Sequence, residues 1–424
     1  MDNQLLLAKA QQIYHYMVTA PESDWQRNMY NWDWKPGVGL IAAVKYGQAI
    51  GSPEVRDYLW RWMRDNRHKA AELRVINSTA PFAALTELLR EQPDAEGGWL
   101  ELAQEHGRWL MEEAPRTSQG GFEHTVTEGV DFPEQMWADT LVVGGLFLAR
   151  LASLTGDRAM AEEAVRQVEI HLRLLQDEAT GVLFHGYDGR RGDHMSAARW
   201  GRANAWVAFG VPEIVREVRG LAEVPAEVGR RYTRLLEGLL RFQTPNGMWH
   251  TVLDRDDFYL ETSAAAGIGY GMLLALKHGM AADAALRAKL EEAVRKAAQA
   301  VLIHVDVYGA VHGVSGGTPV MPTVKAYNEV KITPTPYGQA LALLLASELL
   351  TEGSGGGALG LARRDQLRRD EDEQGKQRQR TDALVVGAGR RNDSAIRAGS
   401  DGGAGVHRSV GNDAGCELVL RPGG

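Results

Sequence analysis

The chain has 424 residues, of which 44% are hydrophobic and 24% are charged, and its formal charge at pH 7 is −8. These values fit a large globular domain, and the negative charge argues against a nucleic-acid binder, which normally carries a basic surface. No apolar run is long enough to span a membrane, and Cys416, the only cysteine, excludes disulfide bonds and thiolate metal sites.

Apolar residues recur at helical spacing along most of the chain, and strand-like alternation is rare. From Asp2 onward the sequence follows the helical pattern and lacks the basic and apolar regions of a secretion signal, so we expect a cytoplasmic protein. The pattern predicts about twelve helices. They fall near residues 3–18, 37–50, 53–68, 79–91, 96–114, 134–154, 158–176, 200–219, 226–243, 261–279, 283–303 and 335–351.

Helices of two kinds alternate along the chain. Residues 134–154 are apolar on most faces, whereas residues 158–176 have one polar face. Such alternation fits two concentric layers and predicts an all-α fold, an (α/α)6 toroidal barrel, although a solenoid of helix pairs would give a similar pattern. The barrel is favoured because no repeat has a fixed period and because the long loops are rich in Trp, His, Asp and Gly. These loops span 19–36, 115–133, 180–199 and 303–334.

The composition changes at about residue 352. Residues 353–424 contain no Trp, Tyr or Phe and are rich in Gly and Arg. A segment of this kind cannot bury enough apolar surface to offset the entropy lost on ordering. The sequence therefore predicts a helical domain at 1–352 and a disordered tail at 353–424.

Asp139 is the most unusual residue in an apolar segment. Asp131 and Pro133 resemble an N-cap and a first-turn proline, so we expect a helix to begin there and Asp139 to lie in its second turn. No side chain on the same helical face could neutralise its carboxylate, and burial of an unpaired charge is costly. Asp139 is therefore either a catalytic acid or base, with a pKa raised by apolar surroundings, or a structural residue bonded to a distant partner.

A second candidate cluster follows the loop at 180–199. Trp200, Arg202 and Trp206 fall at the start of a predicted helix, where Arg202 and Trp206 share a face. A guanidinium group can pair with the carboxylate of an anionic sugar while an indole covers the sugar ring. The alternative is a structural arginine stacked on a tryptophan. His185 either donates to a substrate or satisfies loop carbonyls.

Other loops offer weaker candidates. Trp34 lies just before the second predicted helix, where it forms either a sugar platform or part of the core. The Gly-, Thr- and Pro-rich segment 308–340 could close one side of a pocket with Ser315, Thr318 and Lys325. No spacing of metal ligands and no complete cofactor motif is present, so we expect neither a metal nor a cofactor.

Five groups of motifs carry a family resemblance. In chain order they are NWDWKPGVG, MWADTLVV, HGYD with RWGRANAW, GMWHTVLD with YLETSAAAG, and YGAVHGVSGGT with TPYGQA. Together they resemble glycoside hydrolase family 105, the unsaturated rhamnogalacturonyl hydrolases, with unsaturated glucuronyl hydrolases as more distant relatives. The resemblance covers residues 25 to about 340 and implies an (α/α)6 barrel.

The resemblance also implies roles for individual residues. Asp139 corresponds to the general acid/base, and His185, Arg202 and Trp206 to residues that line the uronate subsite. Trp34 and Trp137 correspond to aromatic positions of the pocket. One position departs from the pattern, because relatives often carry an important aspartate where this chain has Asn77. An asparagine can bind a sugar hydroxyl but cannot share a proton.

The activity implied by the resemblance is removal of a 4,5-unsaturated uronic acid from the non-reducing end of lyase-generated pectin oligosaccharides. Asp139 would protonate C4 of the vinyl ether and then direct water to C5, with no metal, nucleic acid or membrane involved. The residues leave three alternatives open. They are a glycosidase that pairs Asp139 with Asp254 or Glu261, a sugar epimerase with paired histidines, and a non-enzymatic helical scaffold.

Overall fold

A computed structural model of the protein describes residues 2–20, 29–92, 97–130 and 132–352. The predicted tail, Cys416 and the predicted N-cap Asp131 lie outside these residues. The helices are α1 (Asn3–Thr19), α2 (Trp34–Ile50), α3 (Pro53–Glu72), α4 (Ala80–Glu91), α5 (Trp99–Glu112), α6 (Leu146–Thr155), α7 (Arg158–Leu175), α8 (Gly201–Glu217), α9 (Ala226–Phe242), α10 (Thr262–Lys277), α11 (Ala284–Ile303), α12 (Val324–Tyr327) and α13 (Pro336–Glu352). Two short strands, β1 (Gln135–Trp137) and β2 (Gly186–Asp188), a 3-10 turn at Ile76–Thr79 and a π turn at Leu141–Gly145 complete the described elements.

Six helices form a closed inner ring in the order α2, α4, α6, α8, α10 and α13, with α13 packed against α2. The helices α1, α3, α5, α7, α9 and α11 pack around this ring. The predicted (α/α)6 barrel is therefore confirmed. Inner helices are apolar on nearly all faces, as in α10, which is buried from Thr262 to Ala275. Outer helices such as α9 bury one stripe and leave the opposite face in solvent.

The inner helices all run in the same direction, because each outer helix returns the chain to the starting end of the barrel. Their C-terminal ends are joined by buried ion pairs. Lys45 on α2 lies 2.6 Å from Glu348 on α13, and Arg150 on α6 lies 3.5 Å from Glu213 on α8 and 3.7 Å from Glu87 on α4. The hydroxyl group of Tyr270 on α10 donates to Glu213. We call these six residues, one from each inner helix, the base network.

The helix predicted at 134–154 begins later than expected. Glu134 has a φ of 62°, a left-handed conformation that interrupts a right-handed helix. The next residues form β1, which pairs antiparallel with β2, so that Met136 faces Tyr187. Helical backbone begins at Thr140 and passes through a π turn at Leu141–Gly145 before α6. Asp139 therefore precedes the first turn, where its carbonyl accepts from the N–H groups of Val142 and Val143.

None of the described helices is both long enough and apolar enough to cross a bilayer.

Candidate active site

A cavity of about 280 Å³ opens where the N-terminal ends of the inner helices meet. Among the described residues that line it are seven of the eight predicted site residues: Trp34, Asn77, Trp137, Asp139, Trp200, Arg202 and Trp206. Each lies in the first turn of an inner helix, a little further along that helix, or in the segment just before it. Parallel inner helices thus bring together residues that are far apart in the sequence.

His185, the eighth predicted residue, lies behind Asp139. Its Nε2 is 3.4 Å from Oδ2 of Asp139, and the imidazole is buried whereas the Asp139 side chain keeps 18% of its exposure. The two groups are not aligned as a hydrogen bond, and neither Nε2 nor Oδ2 has another hydrogen-bond partner among the described residues. Since Oδ2 is buried, Oδ1 is the carboxylate oxygen available to the cavity.

The proton on His185 is positioned by Tyr327. The Tyr327 hydroxyl lies 2.7 Å from Nδ1 of His185 and accepts from the N–H group of Met321 at 3.2 Å. Its own proton is therefore available to Nδ1. An imidazole that accepts at Nδ1 carries its proton on Nε2, so a donor faces Asp139.

The pKa of Asp139 reflects opposing influences. Burial acts to raise it, but His185, His124 and Arg202 outweigh burial and hold the pKa below its ordinary value. The expected upward shift is therefore wrong for the protein by itself. Burial also lowers the pKa of His124 to about 4 and lowers that of His185. Both imidazoles are consequently neutral near pH 7, whereas Arg202 is positively charged.

Stacked aromatic rings form the walls of the cavity. Trp137 stacks on His124 with 4.0 Å between ring centroids, and Trp34 stacks on Tyr337 at 5.0 Å. The indole N–H groups of Trp200 and Trp206 are buried without an acceptor among the described residues. The rings of both residues nevertheless line the cavity and offer apolar surface to a bound sugar.

Arg202 has the contacts of a structural arginine. Its guanidinium group lies between the rings of Trp200 and Tyr337, 4.3 Å and 4.7 Å from their centroids. Nη1 donates to the carbonyl of Ser315 at 3.2 Å, and Nη2 donates to the carbonyl of Gly316 at 2.9 Å. These donors hold the loop that follows Ser315, and the pairing of Arg202 with a substrate carboxylate stays a prediction. Arg202 stacks on Trp200, not on Trp206, with which it was predicted to act.

The segment between His124 and Phe132 was not predicted as part of the site. Its alternate residues line the cavity: His124, Val126, Glu128, Val130 and Phe132. His124 is buried at the floor, whereas Glu128 and Val130 are exposed at the mouth. We call residues 124–130 and 132 the rim segment. Its period-two pattern was a readable signal within the loop predicted at 115–133.

The other predicted candidates lie away from the cavity. Asp254 pairs with Arg199 at 2.6 Å, and Glu261 is fully buried as the N-cap of α10. Neither lines the cavity, so neither is placed to act with Asp139. Lys325 is exposed and pairs with Glu329 at 3.6 Å, so it does not close the pocket as expected. Among the described residues no group of His, Cys, Asp and Glu is arranged to hold a metal ion.

The segment at 308–340 does contribute Thr318 to the cavity lining. Ser315 is buried and contacts Arg202, so it supports this side of the cavity from behind. Trp249 is fully buried and donates to the carbonyl of Leu239, which makes it a core residue.

Comparison with known proteins identifies relatives across most of the chain. Residues 9–352 match the family model of Glycosyl Hydrolase Family 88. The chain is 31% identical over 323 residues to the unsaturated rhamnogalacturonyl hydrolase YesR of Bacillus subtilis, covering 76% of this chain and 90% of that protein. It is 25% identical over 219 residues to an unsaturated 3S-rhamnoglycuronyl hydrolase of an Alteromonas species, covering 50% of this chain and 51% of that protein.

Solved structures of similar proteins share the fold. One is a possible member of the GH105 family from Salmonella enterica, with 28% identity and a TM-score of 0.78 over 83% of this chain and 95% of that chain. Another is an unsaturated glucuronyl hydrolase from Bacillus sp. GL1, with 16% identity and a TM-score of 0.64 over 82% of this chain and 97% of that chain.

Proposed function

This chain belongs to Glycosyl Hydrolase Family 88 and is a glycoside hydrolase, and from this premise we propose that it removes 4,5-unsaturated uronic acid from lyase-generated rhamnogalacturonan-type oligosaccharides. The similarity to an unsaturated rhamnogalacturonyl hydrolase over 76% of the chain supports this substrate class. The cavity supports it too, because its aromatic walls suit a sugar ring.

The observation that carries the proposal is the arrangement of carboxylates. Of the described residues that line the cavity, Asp139 and Glu128 carry a carboxylate, and Glu128 is exposed at the mouth on the rim segment. A conventional glycosidase flanks the scissile bond with two carboxylates, roughly 5 to 9.5 Å apart. A single carboxylate at the floor suits a reaction in which the same group first donates and then accepts a proton.

The reaction begins with proton transfer from the carboxyl group of Asp139 to C4 of the unsaturated uronate. The electrons of the C4=C5 bond form the new C4–H bond, and the ring oxygen stabilises the positive charge left at C5. A water molecule adds to C5 and gives its proton to the Asp139 carboxylate. The C5 hemiketal then opens to a ketone, and the exposed C1 hemiacetal collapses to an aldehyde as the aglycone leaves with its proton.

Substrate binding makes the acid form of Asp139 accessible. The protein by itself holds the pKa of Asp139 below its ordinary value. A bound uronate adds a negative charge close to the carboxylate and displaces water from the cavity. Both effects disfavour the ionised form and raise the pKa of Asp139. Asp139 is therefore protonated when the substrate is bound, as proton transfer to C4 requires.

We propose further that the catalytic domain is 1–352 and that 353–424 is a separate tail. The family match ends at residue 352, where the composition of the sequence also changes. We propose a cytoplasmic location. Small oligosaccharides are the proposed partners, and we propose no role for a metal, cofactor, nucleic acid or membrane.

The test is hydrolysis of an unsaturated galacturonyl-rhamnose disaccharide, followed by loss of the ultraviolet absorbance of its double bond. We expect activity in the wild type and a loss of at least about a hundredfold in Asp139→Asn, which cannot donate a carboxyl proton. The saturated disaccharide, whose cleavage is followed by the release of free rhamnose, serves as the control substrate and should not be cleaved. Equal cleavage of both disaccharides would replace this proposal with a two-carboxylate mechanism.

A further inference from the structure

The cations of the cavity bear on how the uronate carboxylate is recognised. Two of the described lining residues are permanently cationic, namely Lys35 and Arg202. A carboxylate moved from water into a cavity needs a cation or several hydrogen-bond donors to offset its desolvation. Among the described lining residues, these two side chains are therefore the candidates to supply such a cation.

The donors of Arg202 are already engaged. Besides the carbonyls of Ser315 and Gly316, they reach the hydroxyl groups of Ser263 at 3.2 Å and Thr318 at 3.3 Å, and the carboxylate of Glu261 at 3.5 Å. Only Nε has no partner among the described residues, and it is buried. A substrate carboxylate could bind both Nη atoms only if it displaced this loop.

The ammonium group of Lys35, unlike the guanidinium group of Arg202, is not engaged by the described residues of the surrounding loops. It is half-buried beside the cavity, its ammonium group lies 5.7 Å from the ring centroid of Trp34, and it forms no ion pair with any described residue. The nearby carboxylate of Asp33 feels its charge, since Lys35 acts to lower the pKa that burial raises. Lys35 is thus held close to the cavity without a direct ion pair to any described residue.

The position of Lys35 in its helix is electrostatically unfavourable. It occupies the first turn of α2, where the helix dipole favours acidic side chains and disfavours cations. The N-terminal ends of the other inner helices point to the same cavity and add to this effect. A charge at an electrostatically unfavourable position is expected where function requires that charge.

We propose that Lys35 is a specificity-determining residue that binds the carboxylate of the uronate, and that Arg202 is a positioning residue that holds the loop at Ser315–Thr318. This inference rests on the proposed function, because it concerns the carboxylate of the proposed substrate. Lys35 selects uronates over neutral sugars, and Asp139 performs the chemistry on the ring that Lys35 retains.

The experiment measures kcat and KM for the unsaturated galacturonyl-rhamnose disaccharide, whose uronate carboxylate is its single charged group. Wild type is compared with Lys35→Met, which removes the charge, and Lys35→Arg, which keeps it. Lys325→Met is the matched control, because Lys325 is 82% exposed and lies outside the cavity lining. Thermal unfolding of each variant is recorded alongside.

We expect Lys35→Met to raise KM by about tenfold or more with kcat within about threefold of wild type, as expected for loss of a charge-assisted hydrogen bond. Lys35→Arg should recover most of this loss, and Lys325→Met should match wild type. An unchanged KM in Lys35→Met, or a Lys35→Arg variant as impaired as Lys35→Met, would overturn the inference. An inactive wild type would instead refute the proposed function.

Discussion

The carboxylate of Asp139 is the first of a series of side chains in contact that extends behind the cavity. Its carboxylate lies next to Nε2 of His185, and His185 takes its tautomer from the hydroxyl group of Tyr327. In the proposed reaction the Asp139 carboxylate alternates between donating and accepting a proton, so the protonation state of the neighbouring imidazole matters at each step. Tyr327 touches neither the substrate nor Asp139, and we regard it as a positioning residue.

Tyr327→Phe should alter the pH dependence of the reaction. Activity requires protonated Asp139, so kcat/KM should fall as pH rises through the pKa of that group. Without the tyrosine proton, Nδ1 of His185 can carry the hydrogen and Nε2 presents a lone pair to Asp139. This disfavours the carboxylate and moves the pKa and the falling limb to higher pH, while kcat drops about tenfold.

The measurement is a pH profile of kcat and KM for Tyr327→Phe, wild type and Tyr259→Phe. Tyr259 provides the control, because its hydroxyl makes a 3.4 Å contact with the backbone of Tyr327 and none is described with His185. A limb that stays at the wild-type pH, or a change confined to KM, would show that Tyr327 only supports packing.

Local patterns predicted the helices but not how distant segments meet. The 3.6-residue period gave outer helices such as α9 almost to the residue. It failed at β1, because the partner strand β2 lies about fifty residues later and leaves no trace in the local pattern. For the same reason Asp139 was predicted in the second turn of the helix, whereas it lies just before the first turn.

The site was predicted as a set of residues more completely than as a set of contacts. Burial, apolar surroundings and family motifs singled out Asp139, Trp200 and Arg202. The engagement of Arg202 could not be predicted, since its partners at Ser315 and Gly316 lie more than a hundred residues away. Lys35 was not predicted to line the cavity, because a lysine near a helix start resembles an ordinary surface residue. Only the arrangement of the other inner helices places it beside the cavity.

Close packing of α8 against α10 depends on glycine. A Cβ atom on Gly271 would lie 2.4 Å from the backbone carbon of Ala208. The α8 backbone cannot yield without moving the ring, so Gly271→Ala should lower the free energy of unfolding by about 2 kcal/mol. Urea unfolding at pH 7 measures this change.

Gly229→Ala is the matched control on the outer helix α9, where an added Cβ would meet no atom within 4 Å. This variant should raise the free energy of unfolding by about 0.5 to 1 kcal/mol, because alanine favours helix more than glycine does. If both substitutions had the same effect, close contact between the inner helices would not limit stability.

The two ends of the whole barrel have opposite electrostatic requirements. Positive helix ends meet at the cavity, where we propose that a substrate anion binds, and negative helix ends meet at the base. Lys45 and Arg150 of the base network lie near those negative ends and neutralise the carboxylates of Glu213 and Glu348. The base network therefore joins the six inner helices at the end of the barrel opposite the cavity.

Glu348→Gln should destabilise the protein in a pH-dependent way. The base network holds the pKa of Glu348 and of Glu213 below their ordinary values. A carboxylate with a depressed folded-state pKa adds stability above its unfolded pKa of about 4.5 and loses it as pH falls. The variant, which leaves Lys45 without its nearest carboxylate, should lose about 3 kcal/mol at pH 7 and less at pH 4.

Urea unfolding at both pH values tests this expectation. Glu292→Gln is the control, since it removes an exposed pair with Arg295 on α11 and should leave the free energy of unfolding nearly unchanged at either pH. A Glu348→Gln defect of equal size at pH 7 and pH 4 would contradict a role for its charge.

The rim segment gives the barrel a modular character. A single continuous peptide runs from the floor of the cavity to its mouth and presents every second side chain to the ligand. Its exposed end, at Glu128 and Val130, can vary without disturbing the base network at the opposite end of the helices. Related enzymes can therefore acquire specificity for other leaving groups through a few substitutions in the rim segment, while Asp139 and the helices of the barrel stay unchanged.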